Sequence, residues 1–250
     1  MIRLILLFSI SLFIGCSAFS QVLPPIQTDR PDQTECPFIT PVKFVQIETG
    51  FMYEEPSKSE SSVTHPSILW KYGVNDRLEF RLITELETAK LPGGKVSGLN
   101  PVTVGFKTNL AQERGILPMI SFIGHLTIPD LAGKDMKATY YAPAFRFTMQ
   151  HTLSDKVSLG YNLGAEWDGE SPEPTFIYTL TSGFALSEKF GSFIELYGFA
   201  PQKGKADHRF DAGLTYLINS NVMVDLSGGV GLTPNALDYF ISTGFSFRFK

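Results

Sequence analysis

The sequence predicts an all-β chain, a transmembrane antiparallel β-barrel of roughly twelve strands with short turns at its periplasmic end. Three observations predict it. Apolar and polar residues alternate with period two in one segment after another, no window of about 18 apolar residues exists after the short amino-terminal apolar run, and the chain stops in mid-strand on an aromatic-rich stretch.

The last stretch is the clearest. Leu237, Tyr239, Ile241, Thr243, Phe245, Phe247 and Phe249 fall on one face of a strand, and Asp238, Ser242, Gly244, Ser246 and Arg248 on the other. A face so apolar needs a second sheet or lipid. In a soluble sandwich it would be an exposed edge prone to aggregation, a hazard that barrel closure removes. Ser242, Gly244, Phe247 and Phe249 resemble the C-terminal signal read by the barrel-assembly machinery, with Lys250 as one extra residue. That machinery and outer-membrane lipid are therefore expected partners.

At the other terminus, Arg3, an apolar run over residues 4–14 and small residues up to Ser20 read as a signal peptide, residues 1–20, removed before Gln21. Lipoprotein processing at Cys16, behind the imperfect Phe13-Ile14-Gly15, is the alternative. Loss of residues 1–20 removes one base, Arg3, and takes the net charge from −4 to −5, which argues against a nucleic-acid partner. Cys36 is then the one remaining cysteine, so neither an intramolecular disulfide nor a cysteine-type metal cluster is expected.

Residues 21–42 cannot be a strand, because Pro24, Pro25, Pro31, Pro37 and Pro41 remove too many ladder donors. They carry the charged motif Asp29, Arg30, Pro31, Asp32 and Glu35. Two readings stand: a free periplasmic tail, or a segment that inserts through the periplasmic mouth and narrows the lumen. A barrel of this size has more interior than side chains alone fill, which suits the second.

Residues 43–250 form the barrel. Strands are predicted at 43–53, 64–73, 76–87, 99–110, 115–128, 137–150, 155–167, 174–186, 189–200, 206–218, 221–230 and 237–249. The third is among the most regular, with Leu78, Phe80, Leu82 and Leu86 opposite Arg77, Glu79, Arg81, Glu85 and Glu87. The fifth is the least regular, apolar on both faces around Pro118. Tight polar turns at 74–76, 111–114, 153–155, 187–188 and 219–220 alternate with longer connections at 54–62, 88–98, 129–136, 168–173, 201–205 and 231–235. Outer-membrane barrels sort their connections in this way, short on the periplasmic side and longer outside.

Thr28-Asp29-Arg30-Pro31-Asp32-Gln33-Thr34-Glu35, then Gln46-Ile47-Glu48-Thr49-Gly50-Phe51, Tyr72-Gly73-Val74, Leu78-Glu79-Phe80-Arg81 and Gly244-Phe245-Ser246-Phe247-Arg248-Phe249, are together similar to the outer-membrane transporter family named for the meta-pathway of phenol degradation. The resemblance implies an outer-membrane barrel with a role in the uptake of small molecules, and no catalytic residues.

Chemistry is otherwise sparse. His65, His125, His151 and His208 lie at no metal-ligand spacing, and Gly93-Gly94-Lys95 lacks the first glycine and the hydroxyl residue of a phosphate loop. No cofactor, metal or catalytic residue is expected. The informative residues are charges opposite the apolar faces: Glu48, Arg77, Glu79, Arg81, Glu85, Lys107 and Arg146 in the first half, and Glu166, Glu195, Arg209, Asp211, Asp225 and Arg248 in the second. Toward lipid, an Arg or Lys would cost about 2–4 kcal/mol at the bilayer midplane, so these residues are assigned to the lumen. Both signs are present, which does not favour an ion-selective pore. A channel or transporter for passive uptake of small, hydrophobic or aromatic molecules through the cell outer membrane is the expected function. A structural or surface-interaction barrel with a salt-bridged, closed lumen is the alternative, and an outer-membrane enzyme the third.

Overall fold

The computed structural model describes residues 23–250; the expected signal peptide lies outside the described residues. Thirteen strands follow one another: β1 (Val45–Ser57), β2 (Glu60–Asn75), β3 (Leu78–Leu91), β4 (Gly94–Leu99), β5 (Val102–Ala111), β6 (Met119–Ile128), β7 (Ala142–Ser154), β8 (Val157–Glu166), β9 (Thr175–Ala185), β10 (Phe190–Pro201), β11 (Asp207–Asn219), β12 (Val222–Gly231) and β13 (Tyr239–Phe249). The sheet is antiparallel and runs in sequence order, and β1 pairs with β13 from Val45↔Phe249 to Glu55↔Tyr239, which closes the barrel. That pairing removes the open edges of the wall; β4 alone pairs on one side only, with β3.

β4 and β5 share one place in the wall. β4 pairs with the Leu86–Leu91 half of β3 and β5 with the Leu78–Ile83 half. Between them Pro101 has no N–H to give, and the Asn100 N–H donates to the Glu85 carbonyl at 2.8 Å. The closed barrel thus has twelve strand positions, as the alternation predicts.

Several boundaries differ from the sequence expectation. Residues 54–62 and 88–98 are not loops: the strands continue to Ser57 and Leu91 and turn at 58–59 and 92–93. Residues 54–62 are polar on both faces, and in 88–98 only Ala89, Leu91 and Val96 mark an apolar face around Pro92-Gly93-Gly94, so the ladders continue where the alternation is too weak to reveal them. The fifth and sixth predicted strands begin late, at Met119 and Ala142. Pro118 precedes the first of these, and a 3-10 turn at Pro129–Leu131 lies in the connection before the second.

The burial pattern is the reverse of a soluble domain's. Outward Phe80, Leu226 and Ile241 are 56, 51 and 53% exposed, while inward Glu79, Lys107 and Glu48 are 0, 0 and 1% exposed. An apolar belt around a polar interior is stable only where the surrounding solvent is lipid. Among the described residues no helix is long and apolar enough to cross a membrane, and the strands provide the crossing. Val45 and Phe249 lie together at the end that carries the tight turns.

Candidate functional site

The interior is the candidate site, and residues 23–44 occupy it. At the tight-turn mouth the Ile26 N–H donates to the Ser220 carbonyl at 2.9 Å, and the Arg248 guanidinium donates to the Pro24 carbonyl. The chain then runs inward, turns over residues 29–35, and returns to the same mouth, where the Lys43 N–H donates to the Gly73 carbonyl at 2.8 Å.

Prolines keep this segment from pairing as a strand, so its amides find other acceptors. The wall supplies carboxylates. Asp29 and Arg30 N–H groups donate to Glu48 Oε2 at 2.9 and 3.1 Å, Gln33 N–H to Glu195 Oε2 at 2.7 Å, and Thr40 N–H to Glu79 Oε2 at 2.7 Å. Asn162 does the same without charge: its Oδ1 accepts the Glu35 N–H at 2.8 Å and its Nδ2 donates to the Glu35 carbonyl at 3.0 Å.

The side chains complete an ionic knot. Asp29 receives Lys107 Nζ at 2.7 Å, Lys71 Nζ at 2.9 Å and Arg81 Nη2 at 3.3 Å. Burial opposes the Asp29 charge, but Lys107, Lys71 and Arg81 hold its carboxyl well below the usual range. Lys71 also meets Glu48 at 2.5 Å, and Arg81 meets Glu35 at 2.6 Å. Arg30 reaches Asp225 at 3.0 Å and Ser242 Oγ at 2.9 Å. Charges so enclosed are stable only because each finds its counter-ion.

Of the residues assigned to the lumen from sequence, Glu48, Glu79, Arg81, Lys107, Glu195, Asp225 and Arg248 touch or ion-pair with this segment, and Arg146 donates to the Gln33 carbonyl at 3.1 Å. Asp211 points inward directly opposite Glu195. Glu85 lies further toward the outer mouth, where it and Glu87 accept from the Asn100 amide at 2.7 and 2.8 Å. Glu166 stands 3.9 Å from Arg146, and Arg209 is held by Asp207 and lies 5.0 Å from the Phe199 ring centroid.

Arg77 is a correction. It is exposed in the turn between β2 and β3, where its N–H donates to Asn75 Oδ1 at 2.8 Å. The alternation runs one residue past the start of β3 at Leu78, and that residue is already in the turn. Lys71, Gln46 and Asn162 escape the sequence reading. Lys71 alternates with the outward aromatics Trp70 and Tyr72, a signal that was legible; Gln46 and Asn162 are uncharged and leave none.

The three residues assigned to an assembly signal separate. Phe247 and Phe249 point outward at the tight-turn end, with ring centroids 6.0 Å apart, whereas Gly244 faces inward beneath Arg30. Cys36 is half-buried in the segment, and burial foremost pushes its thiol above the ordinary range. The histidines stay apart: His65 meets Thr88, His151 stacks on Tyr161, and His208 meets Tyr178.

Two cavities flank the segment. One of about 520 Å³ opens at the tight-turn mouth between residues 25–38 and the ends of β7 to β10. The other, about 250 Å³, lies on the outer side of the turn, walled by Ile83, Ile123, His125, Ala142, Ala144, Arg146 and Trp167, with Glu35 from the segment.

Residues 28–249 match the family model described as "Putative MetA-pathway of phenol degradation". Comparison by sequence with curated proteins finds no match. Among solved structures, the COG4313 outer membrane channel from Pseudomonas putida F1 is similar at 11% identity with a TM-score of 0.69, covering 88% of this chain and 99% of that one. The NanC porin is similar at 9% identity and a TM-score of 0.54, covering 81 and 98% of the two chains. The KdgM porin is similar at 11% identity and a TM-score of 0.53, covering 82 and 99%. At these identities the likeness is one of fold, the outer-membrane β-barrel, and the apolar belt places the chain in that membrane.

Proposed function

The chain belongs to the family of the phenol-degradation MetA-pathway, and on that premise we propose that it is a passive outer-membrane channel for small molecules. The channel is narrowed by its own amino-terminal segment. One observation carries the proposal: the barrel wall closes through β1 and β13 without any help from residues 23–44, which hold to it chiefly by hydrogen bonds and ion pairs, with Ile26 and Pro37 buried beside them, between two cavities. A segment of that kind can leave without opening a single ladder. A merely structural barrel has no use for so separable a filling.

The outer cavity suggests the kind of solute. Ile83, Ile123, Ala142 and Ala144 offer an apolar wall, and His125 and Arg146 a few polar atoms. That combination suits a small molecule with an apolar body and one hydrogen-bonding group. The function is transport rather than catalysis.

Single-channel recording of the purified protein in a planar bilayer tests this. Discrete current steps are expected, with larger conductance after deletion of residues 21–40 and no loss of the folded barrel. A deletion variant that stays folded and passes no current would overturn the channel function.

A further inference from the structure

The knot around Asp29 neutralises the charges at the base of the inserted segment, but the carboxylates at its tip are arranged differently. Glu195 on β10 and Asp211 on β11 are directly opposed in the ladder, face the same lumen, and are each 1% exposed. Like charges at directly opposed positions repel. Two buried carboxylates side by side have no donor between them, so a proton on one of them is what relieves the repulsion.

Asp32, at the tip, is near enough for the Glu195 charge to act on it and for its own charge to act on Asp211. Its neighbours Gln33 and Thr34 donate to the two oxygens of Glu195. Asp211 Oδ1 is buried with no hydrogen-bond partner. None of the three carboxyls makes an ion pair among the described residues.

The surrounding groups offer no cation to compensate. From β9 come the neutral Thr179 and Thr181. β10 adds Tyr197, and β11 adds Arg209, whose guanidinium is taken by Asp207. β12 contributes Asp225, already held by Arg30, and within the segment Asp29 and Glu35 are held by Lys71, Lys107 and Arg81. Asp32 also borders the cavity that opens at the tight-turn mouth, so protons reach it from the periplasmic side.

We propose that Asp32, Glu195 and Asp211 form a proton-binding site that latches the tip of the inserted segment and releases it as the site loses its protons. The consequence for flux rests on the channel function proposed above; the latch itself does not. Burial first, and the Glu195 charge second, hold the Asp32 carboxyl well above its ordinary value. The docked tip therefore binds more protons than the free one. This contribution to docking is fully present below the ordinary carboxylate value and is lost as pH rises through the raised one. The Asp29 knot has the opposite sign, so the base stays seated while the tip lifts.

Cys36, just past the tip, reports the state. The purified full-length barrel in detergent is labelled with a bulky maleimide at a series of pH values. The rate at the Cys36 peptide, read by mass spectrometry, is divided by that of the denatured chain at the same pH to remove the thiol's own titration. The normalised rate is expected to rise at least about tenfold between about pH 5 and about pH 8. In Asp211→Asn and in Asp32→Asn, which leaves every strand unchanged, the rise is expected to flatten. A wild-type rate that does not change with pH, or variants that keep the full wild-type slope, would overturn the latch. Bilayer conductance on the same samples decides the channel function separately: labelling that follows pH without current retains the latch and removes the channel, and current with flat labelling does the reverse.

Discussion

Gly50 and Gly244 face each other across the ladder that closes the barrel, and the Arg30 guanidinium lies on both: a methyl group on Gly50 would fall 2.0 Å from Arg30 Nη1, and one on Gly244 2.4 Å from Arg30 Nε. The pair forms a seat of bare backbone in a wall otherwise lined by side chains. It lets a charge from the inserted segment reach Asp225 and Ser242.

Filling that seat should loosen the segment. Gly244→Ala adds one methyl group where there is no space, and overpacking of this kind costs about 1–3 kcal/mol. Because β13 keeps its ladder, the barrel should fold as before, while maleimide labelling of Cys36 accelerates by about tenfold for each 1.4 kcal/mol lost. Unchanged labelling would mean that Arg30 contributes nothing to docking.

Asp29 is the anchor. Asp29→Ala removes the acid that Lys71, Lys107 and Arg81 share and leaves Lys107 with Glu79 alone, 3.9 Å away, and breaking such a cluster costs about 3–5 kcal/mol. The same acid sets the response to low pH. Its depressed carboxyl adds stability above the ordinary carboxylate value, and that stability is lost as pH falls through the depressed one. Wild-type docking should therefore weaken in strong acid, and Asp29→Asn should show weaker docking with a smaller acid-induced loss. Cys36 labelling across the acid range distinguishes the two.

The orientation can be checked on intact cells. Gly93, Lys134 and Lys203 lie in connections opposite the tight turns and should accept an impermeant label when replaced by cysteine in a Cys36→Ser background. Cysteines at Asn75 and Ser220 should stay unlabelled until the outer membrane is opened. The reverse pattern would invert the barrel.

Assembly should depend on the last outward aromatic. Phe249 is 48% exposed and pairs with Val45 at the seam, so Phe249→Ser removes apolar surface from the stretch expected to serve as the assembly signal. Slower insertion and periplasmic degradation are expected in pulse-chase experiments, with little effect from removing Lys250. Equal barrel yields from Phe249→Ser and the parent chain would exclude that role.

The sequence by itself determined the barrel, since alternation is a local property: Phe80 beside Glu79, or Tyr239 beside Phe240 and Ser242, already commits each strand to a lipid side and an inner side. The same rule located most of the inward charges, and it failed where the environment stops being two-sided. Past residue 54 both faces of the hairpin are polar, and between residues 88 and 98 a proline, glycines and lysines interrupt the pattern, so strands persist that alternation marks poorly or not at all. Arg77 shows the opposite failure, a regular pattern that outlasts its strand. What only the tertiary structure decided was partnership. Asp29 lies 42 residues from Lys71 and 78 from Lys107, and Arg30 lies 195 from Asp225. Nothing local links them; barrel closure brings β2, β5 and β12 around one interior. Whether Glu195 met a cation or another acid depended on register, and the ladder placed Asp211 opposite it.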